Sequence, residues 1–213
     1  MPYEKGFNFL YFLQSITGKN QFQSILKNYI QKFRLQSIEY TDWKDHYVNS
    51  VKSLFDKDEA KKILDRVDWD TWMFTPGFPP VTNDFSNVFS NEAKARLDDL
   101  FNNQVKSDFP ELFKKWHTSV KLVFLNMIAK SLDKFTEDSY AYLRNSLKLH
   151  TDFNMEIRNV WYQISLNSKH SDAIPNVVDF LGRIGRMKYI RPIYKAFALV
   201  DKAQAYSVFT KLK

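Results

Sequence analysis

Cysteine is absent from the 213-residue sequence, which excludes disulfides, thiolate nucleophiles and zinc sites built from cysteine. Glycine and proline are also scarce, with five and seven residues, so the chain is neither fibrous nor of low complexity. No stretch approaches the run of about 18 apolar residues that a membrane span requires. The N-terminus lacks the basic and then apolar layout of a secretory signal. These absences lead us to expect a cytoplasmic protein without a membrane span.

Motifs for common catalytic machinery are missing as well. The sequence contains no G-x-S-x-G, no phosphate-binding loop and no G-x-G-x-x-G. It has four histidines, and no two of them stand four residues apart as helical metal ligands would: His46, His117, His150 and His170. We therefore expect each histidine to be a surface or capping residue, and we predict no metal site within this chain.

What the sequence does contain is an excess of positive charge. The formal net charge is +7, and the segment from Arg186 to the C-terminus holds a single acidic residue, Asp201. A basic segment of this kind could contact nucleic acid, an anionic membrane face or an acidic ligand, or it could simply be a solvated helix face. No nucleic-acid-binding motif accompanies the charge, so a nucleic-acid partner is not expected.

Helical periodicity dominates the hydrophobic pattern. Apolar side chains between Phe22 and Phe33 recur at i, i+3, i+4, i+7, i+8 and i+11, which predicts one continuous helical stripe. Similar patterns precede Gly18 and follow Thr41 or Asp42, which we expect to cap the next helix. No alternating strand pattern or hairpin dipeptide is present. The sequence therefore predicts an all-α protein whose later helices pair in a curved, solenoid-like array.

The stretch TPGFPPVTNDF, residues 75–85, interrupts this pattern. Proline fixes φ and removes a backbone donor, so an extended connector is predicted here. The connector divides the chain into an N-terminal helical piece of about 75 residues and a longer C-terminal piece.

Two places suggest chemistry. The Tyr3 hydroxyl, directly after Pro2, could donate a hydrogen bond to a developing oxyanion. Arg186 and Lys188 would lie on one side of an extended backbone between Gly185 and Pro192, and two cations there would suit a carboxylate. On the residues alone, an ordinary amphipathic tyrosine and a basic helix joint are the preferred explanations of these positions.

Three stretches carry a resemblance to a known family. They are PYEKGFNFLYFLQ at the start, VDWDTWMFTPGFPPV at 67–81 and EIRNVWYQISLNSKHSDAIPNVVDFLGRIGRMKYIRPIYKAF at 156–197. Together they resemble the family of leukotriene A4 hydrolase and aminopeptidase B, which are zinc aminopeptidases. The patterns W-x-x-W-x-x-x-P-G-x-P-P and G-R-M-K-Y-x-R-P are specific, and the resemblance runs through the chain in order, most weakly between about 83 and 150.

The resemblance implies a domain organisation. Residues 1–75 would be the helical end of a metallopeptidase catalytic domain, 76–92 a proline-rich connector, and 93–213 an α-α superhelix of armadillo or HEAT type, the family's C-terminal domain. The chain would then match the last third of such an enzyme. The zinc ligands and the general-base glutamate of the complete enzyme would lie upstream, and no cofactor would be bound by this chain.

The resemblance also implies roles for individual residues. Tyr3 matches the catalytic tyrosine that stabilises the oxyanion, while Arg186 and Lys188 match the substrate-binding pair that holds the carboxylate of a short peptide. The family's second tyrosine has no counterpart here, which bears on any epoxide hydrolase activity. The chain alone is expected to be inactive as a peptidase.

Two further interpretations concern partners. The chain could complement an N-terminal catalytic partner, or it could be a non-catalytic helical scaffold, a protein–protein interaction module in a larger assembly. We also expect the apolar stripe at Phe22–Phe33 to be partly exposed and to support self-association or partner binding.

Overall fold

The computed structural model describes residues 2–212, and these fold into helices and turns without a strand. The all-α prediction is therefore confirmed. The chain forms two compact units that divide between Phe85 and Ser86. Residues 75–87 are not helical, so the proline-containing stretch at 75–85 is non-helical as predicted. Among the described residues, no helix combines the length and the apolar character needed to cross a bilayer.

The first unit contains five helices within the described part of the chain. Its helices are α1 (Pro2–Thr17), α2 (Lys19–Lys32), α3 (Tyr40–Leu54), α4 (Lys57–Leu64) and α5 (Trp69–Phe74). Gly18 separates α1 from α2 with a φ of 92°, a left-handed conformation that glycine adopts without steric cost. The predicted helix end near Gly18 is thus confirmed. Consecutive helices α1 to α4 pack against one another along the chain.

The core of the first unit absorbs most of the apolar stripe on α2. Phe22 is 2% exposed and Ile25 is fully buried, while Tyr29 packs edge-on against Trp43 of α3 with ring centroids 5.1 Å apart. Only Ile30, on the outer side of α2, remains largely exposed. The expectation of an exposed patch along this stripe is therefore wrong, because α3 supplies the apolar surface that we assigned to a partner.

The start of α3 also differs from the sequence-based expectation. Glu39, rather than Thr41 or Asp42, is the N-cap residue, and α3 begins at Tyr40. Asp42 still contributes, because its carboxylate accepts a hydrogen bond of 2.8 Å from the Glu39 backbone N–H. An acidic residue in the first turn stabilises the unpaired amides there.

The second unit has eight α-helices and three short 3-10 helices within the described residues. The α-helices are α6 (Val88–Phe101), α7 (Phe109–Lys115), α8 (Thr118–Ala129), α9 (Glu137–Ser146), α10 (Met155–Asn167), α11 (Ile174–Arg183), α12 (Met187–Val200) and α13 (Lys202–Leu212). The 3-10 helices are Leu132–Lys134, Leu149–Thr151 and Ser171–Ala173. Helix α6 packs on α8, α8 on α10, and α10 on α12, so alternate helices form one layer in chain order. This succession is the arrangement of a helical solenoid.

Two helices of this unit end in the same motif. At the end of α10, Lys169 has a φ of 64°, and its N–H donates to the Leu166 carbonyl while the His170 N–H donates to the Ser165 carbonyl. At the end of α6, Asn103 takes the equivalent left-handed position with a φ of 55°. These are Schellman caps, which satisfy the last carbonyls of a helix. The cap on α10 also directs His170 back toward α9.

Candidate functional site

The first turn of α12 carries both cations that the sequence singled out. Arg186 is the N-cap residue with an extended conformation, φ −80° and ψ 120°, and the helix starts at Met187. The expected extended segment up to Pro192 is therefore wrong, since Pro192 lies inside α12. Helix formation prevails because Tyr189, Ile193 and Phe197 recur on one buried face, and their burial outweighs one lost backbone hydrogen bond.

Lys188 is held by a carboxylate from another helix. Its ammonium group forms an ion pair with Oε1 of Glu156 in the first turn of α10. The same oxygen accepts a hydrogen bond of 2.7 Å from the Tyr189 hydroxyl. Glu156 is itself positioned by the cap of α10, where its backbone N–H donates to Oδ1 of Asn154 at 2.9 Å. Lys188 is thus fixed across the α10–α12 contact.

The electrostatics of this cluster follow from these contacts. The hydrogen bonds from Lys188 and then Tyr189 lower the pKa of Glu156 below its ordinary value. The hydrogen bond to Glu156, together with burial, raises the pKa of the Tyr189 phenol. At neutral pH the cluster therefore contains two cations, one carboxylate and a neutral phenol, which leaves one positive charge in excess.

Arg186 carries that excess charge. Its guanidinium lies 5.7 Å from the centre of the Tyr189 ring, on which the Lys188 ammonium also lies at 5.5 Å. Arg186 is exposed and forms no direct ion pair with a carboxylate of residues 2–212, although its charge helps to lower the pKa of Glu156. A planar, uncompensated guanidinium at a helix N-terminus is suited to bidentate contact with a carboxylate.

Tyr3 lies in the other unit, in the first turn of α1. Its side chain is 89% exposed, and it shares one helix face with the exposed residues Phe7 and Leu10. The second unit therefore brings together Arg186 and Lys188, while Tyr3 lies on an exposed face of α1 in the first unit.

The histidines only partly follow expectation. His117 caps α8 by accepting a hydrogen bond from the Ser119 backbone N–H, as predicted. His46 is instead buried, with Nε2 3.0 Å from the Ile25 carbonyl oxygen. His170 stacks on the Tyr140 ring with centroids 3.5 Å apart. Among the described residues, no group of three potential metal-ligating side chains is present, so they do not fit a zinc ion.

Glu156 and Tyr189 were missed at the sequence level. Tyr189 directly follows Lys188, but Glu156 is 32 residues away from it. The link depends on the packing of α10 against α12, and the only local signal was the Asn154 cap that fixes where α10 starts.

Comparison with known proteins finds a family model for each end of the chain, and both models agree with the resemblance seen in the sequence. Residues 116–213 match the family model "Leukotriene A4 hydrolase, C-terminal", and residues 1–72 match the "Peptidase family M1 domain". Leucine aminopeptidase 2 of Neosartorya fischeri is 32% identical over 215 residues, covering 99% of this chain and 34% of the relative. The enzyme of the same name from Aspergillus fumigatus is 31% identical over 220 residues, covering 100% of this chain and 34% of the relative.

Solved structures agree with the sequence matches. Yeast LTA4 hydrolase in complex with bestatin has a TM-score of 0.82 at 26% identity, covering 99% of this chain and 36% of that chain. The native yeast enzyme has a TM-score of 0.81 at 25% identity, covering 99% of this chain and 36% of that chain. The chain thus spans about a third of the length of the relatives that it matches. It belongs to the leukotriene A4 hydrolase family of M1 peptidases, of which it matches the C-terminal portion.

Proposed function

We propose that this chain supplies the substrate-carboxylate contacts of an aminopeptidase that removes N-terminal residues from short peptides. Arg186 binds the free C-terminal carboxylate, and Lys188 provides the second positive charge. The observation that carries this proposal is the uncompensated Arg186 guanidinium beside a Lys188 already paired with Glu156. One cation is thereby fixed in place, while the other remains available to a ligand.

Tyr3 has a different role in this proposal. Its exposed phenol is a hydrogen-bond donor for the oxyanion that forms when the peptide carbonyl is attacked. The zinc ion of the family is not accommodated by the described residues, and we therefore assign it to another part of the complete enzyme. The 213-residue chain alone should bind peptide carboxylates weakly and should not hydrolyse aminoacyl anilides.

Carboxylate binding can be tested on the chain itself. Titration calorimetry would compare a tripeptide that has a free C-terminus with the same tripeptide as its C-terminal amide. Charge-assisted hydrogen bonds contribute about 1.5–3 kcal/mol, so Arg186→Ala should weaken binding of the free acid by roughly 10- to 100-fold. Arg186→Lys should restore only part of the affinity, because an ammonium cannot make the bidentate contact.

Arg183→Ala is the matched control. Arg183 lies three residues before Arg186 and is also exposed, but it is paired with Asp179 through Nη2 at 2.8 Å. Its removal should leave peptide binding unchanged. Equal binding of the free acid and the amide, or unchanged binding by Arg186→Ala, would refute the proposal.

A further inference from the structure

A second candidate ligand site lies in a groove between α12 and α13, on a different set of α12 residues from the Lys188–Glu156 contact. The groove has a volume of about 480 Å³. Its apolar lining includes Ile190, Tyr194, Ala198, Ala205, Tyr206 and Phe209. Tyr206 is 72% exposed and Phe209 is 48% exposed, so the aromatic wall on α13 is largely uncovered.

The rim of the groove has charge of one sign. Arg191, Lys195 and Lys202 line it, and no acidic residue does. None of the three forms an ion pair with any described residue. The adjacent acid, Asp201, is engaged in capping α13, where its Oδ1 accepts a hydrogen bond of 2.8 Å from the Gln204 backbone N–H. An apolar floor with an uncompensated basic rim is complementary to a ligand that is both apolar and anionic.

The shape of the groove favours a helix as that ligand. On α12 it extends from Met187 to Ala198, which corresponds to about 17 Å of helix axis. The apolar positions Met187, Ile190, Tyr194 and Ala198 follow helical spacing, so the floor runs parallel to α12. Three turns of an amphipathic helix fit this length, with anchors at i, i+3 or i+4 and i+7.

We propose that the α12–α13 groove binds an acidic amphipathic helix of a partner protein. The apolar face of that helix covers Tyr194, Tyr206 and Phe209, and its acidic flanks pair with Arg191, Lys195 and Lys202. Charge complementarity selects this occupant. A second copy of the chain that used the same face would instead bring three cations against three cations.

Fluorescence anisotropy with the 213-residue chain tests this proposal. The first probe is a labelled 14-residue amphipathic peptide with leucine anchors and glutamate flanks. A second peptide keeps the leucines and carries lysine flanks, and a third is a scrambled version of the first. We expect saturable, salt-sensitive binding of the glutamate peptide and binding of the lysine peptide weaker by about tenfold.

Three variants identify the groove. The double variant Arg191→Glu and Lys195→Glu should reverse the preference between the two peptides. Ala198→Trp should weaken both, because the exposed Ala198 position lies on the groove floor and an indole would fill it. Lys94→Glu, at an exposed position of α6, is the charge control and should change nothing. Circular dichroism would verify that each variant keeps its helical content.

Other results would overturn the proposal. Equal affinity for the glutamate and lysine peptides, or unchanged binding by the double variant, would show that the basic rim does not select the ligand. Displacement of the bound glutamate peptide by oleate or oligouridylate at lower concentration than by unlabelled peptide would assign the groove to a fatty acid or to RNA. Concentration-dependent dimerisation that Ala198→Trp abolishes would assign it to a second copy. Failure of the Arg186 experiments leaves these outcomes unaffected, because the two sites are tested with different variants.

Discussion

The Tyr189 hydroxyl donates a hydrogen bond of 2.7 Å to Oε1 of Glu156, the same oxygen that pairs with Lys188. One carboxylate oxygen on α10 therefore holds two consecutive side chains of α12. Because Arg186 lies against the ring of the same Tyr189, the position of the free guanidinium depends on this contact as well.

Replacing Glu156 by glutamine should lower stability at neutral pH, and this difference from wild type should shrink as the pH falls below about 4.5. The pKa of Glu156 is lowered in the folded chain, so its contribution is complete above about pH 4.5 and is lost as pH falls through the folded value. The partly exposed pair contributes at most about 1 kcal/mol. Urea unfolding of wild type and Glu156→Gln between pH 3 and 7 would measure the difference.

Glu111→Gln provides the control for that comparison. It removes an ion pair with Lys114 in which both side chains are 68% exposed. The unfolding midpoint should change less than for Glu156→Gln. Parallel curves for wild type and Glu156→Gln down to pH 3 would contradict the assigned role of Glu156.

A buried hydroxyl pair in the first unit should show strong coupling. The Tyr47 hydroxyl and Thr17 Oγ1 lie 2.6 Å apart, and both residues are buried. Tyr47→Phe or Thr17→Val leaves one hydroxyl without its partner, at a cost of about 1–3 kcal/mol each. The double variant should cost less than the sum of the two, and denaturant titration of the full cycle measures the coupling. Tyr206→Phe, at an exposed position, should be neutral, and strict additivity in the cycle would show that the pair contributes nothing.

The cap of α10 offers a stabilising substitution. Lys169 has a left-handed conformation that costs a residue with a Cβ about 1–2 kcal/mol. Lys169→Gly should therefore raise the free energy of unfolding by about 0.5–1 kcal/mol after the entropy of glycine in the unfolded chain is subtracted. Asn103→Gly, in the equivalent cap of α6, should gain less, because asparagine tolerates this conformation. Thermal melts of both variants would test the order, and a larger gain at Asn103 would contradict it.

His170 should make the second unit sensitive to mild acid. Burial against Tyr140, and then the charge of Arg144, lower its pKa, while Glu137 opposes this effect with Oε2 3.5 Å from Nδ1. The neutral imidazole is favoured in the folded chain, so its contribution is complete above about pH 6.5 and is lost as pH falls through the folded value.

The check on His170 is an NMR titration of its imidazole together with unfolding experiments at pH 5 and 7. His170→Gln should lose less stability than wild type between pH 7 and 5. Glu137→Gln should lower the pKa of His170 further. A measured pKa at or above 6.5 would rule out the proposed effect of burial.

The helices were predictable because their apolar residues follow the 3.6-residue period, as Phe22 and Ile25 do on α2. What covers each stripe was not predictable. The sequence showed an apolar face on α2 but not that Trp43 would pack against it, since that contact depends on the turn between α2 and α3. A pattern defines a face, and only the tertiary fold defines its partner.

The candidate site likewise has residues that the sequence could predict and a residue that only the tertiary fold reveals. Arg186 and Lys188 were predicted from local sequence and resemblance. The extended backbone expected after them was wrong, because Pro192 was taken as the end of an extended segment and lies inside α12. The steric cost of one proline is local and modest, whereas the buried face of α12 gains from every helical turn. The role of Glu156 could not be predicted from the sequence, because only the packing of α10 against α12 brings its carboxylate to Lys188.

Pro192 has a consequence for how the start of α12 is held. It lacks an N–H, so it cannot donate the usual helical hydrogen bond to the Lys188 carbonyl, four residues earlier. The first turn of α12 is consequently joined to the rest of the helix by one backbone hydrogen bond fewer than usual. The orientation of the Arg186 guanidinium therefore depends on a contact from outside α12. Glu156 of α10 stabilises a first turn that its own backbone hydrogen bonds hold less firmly.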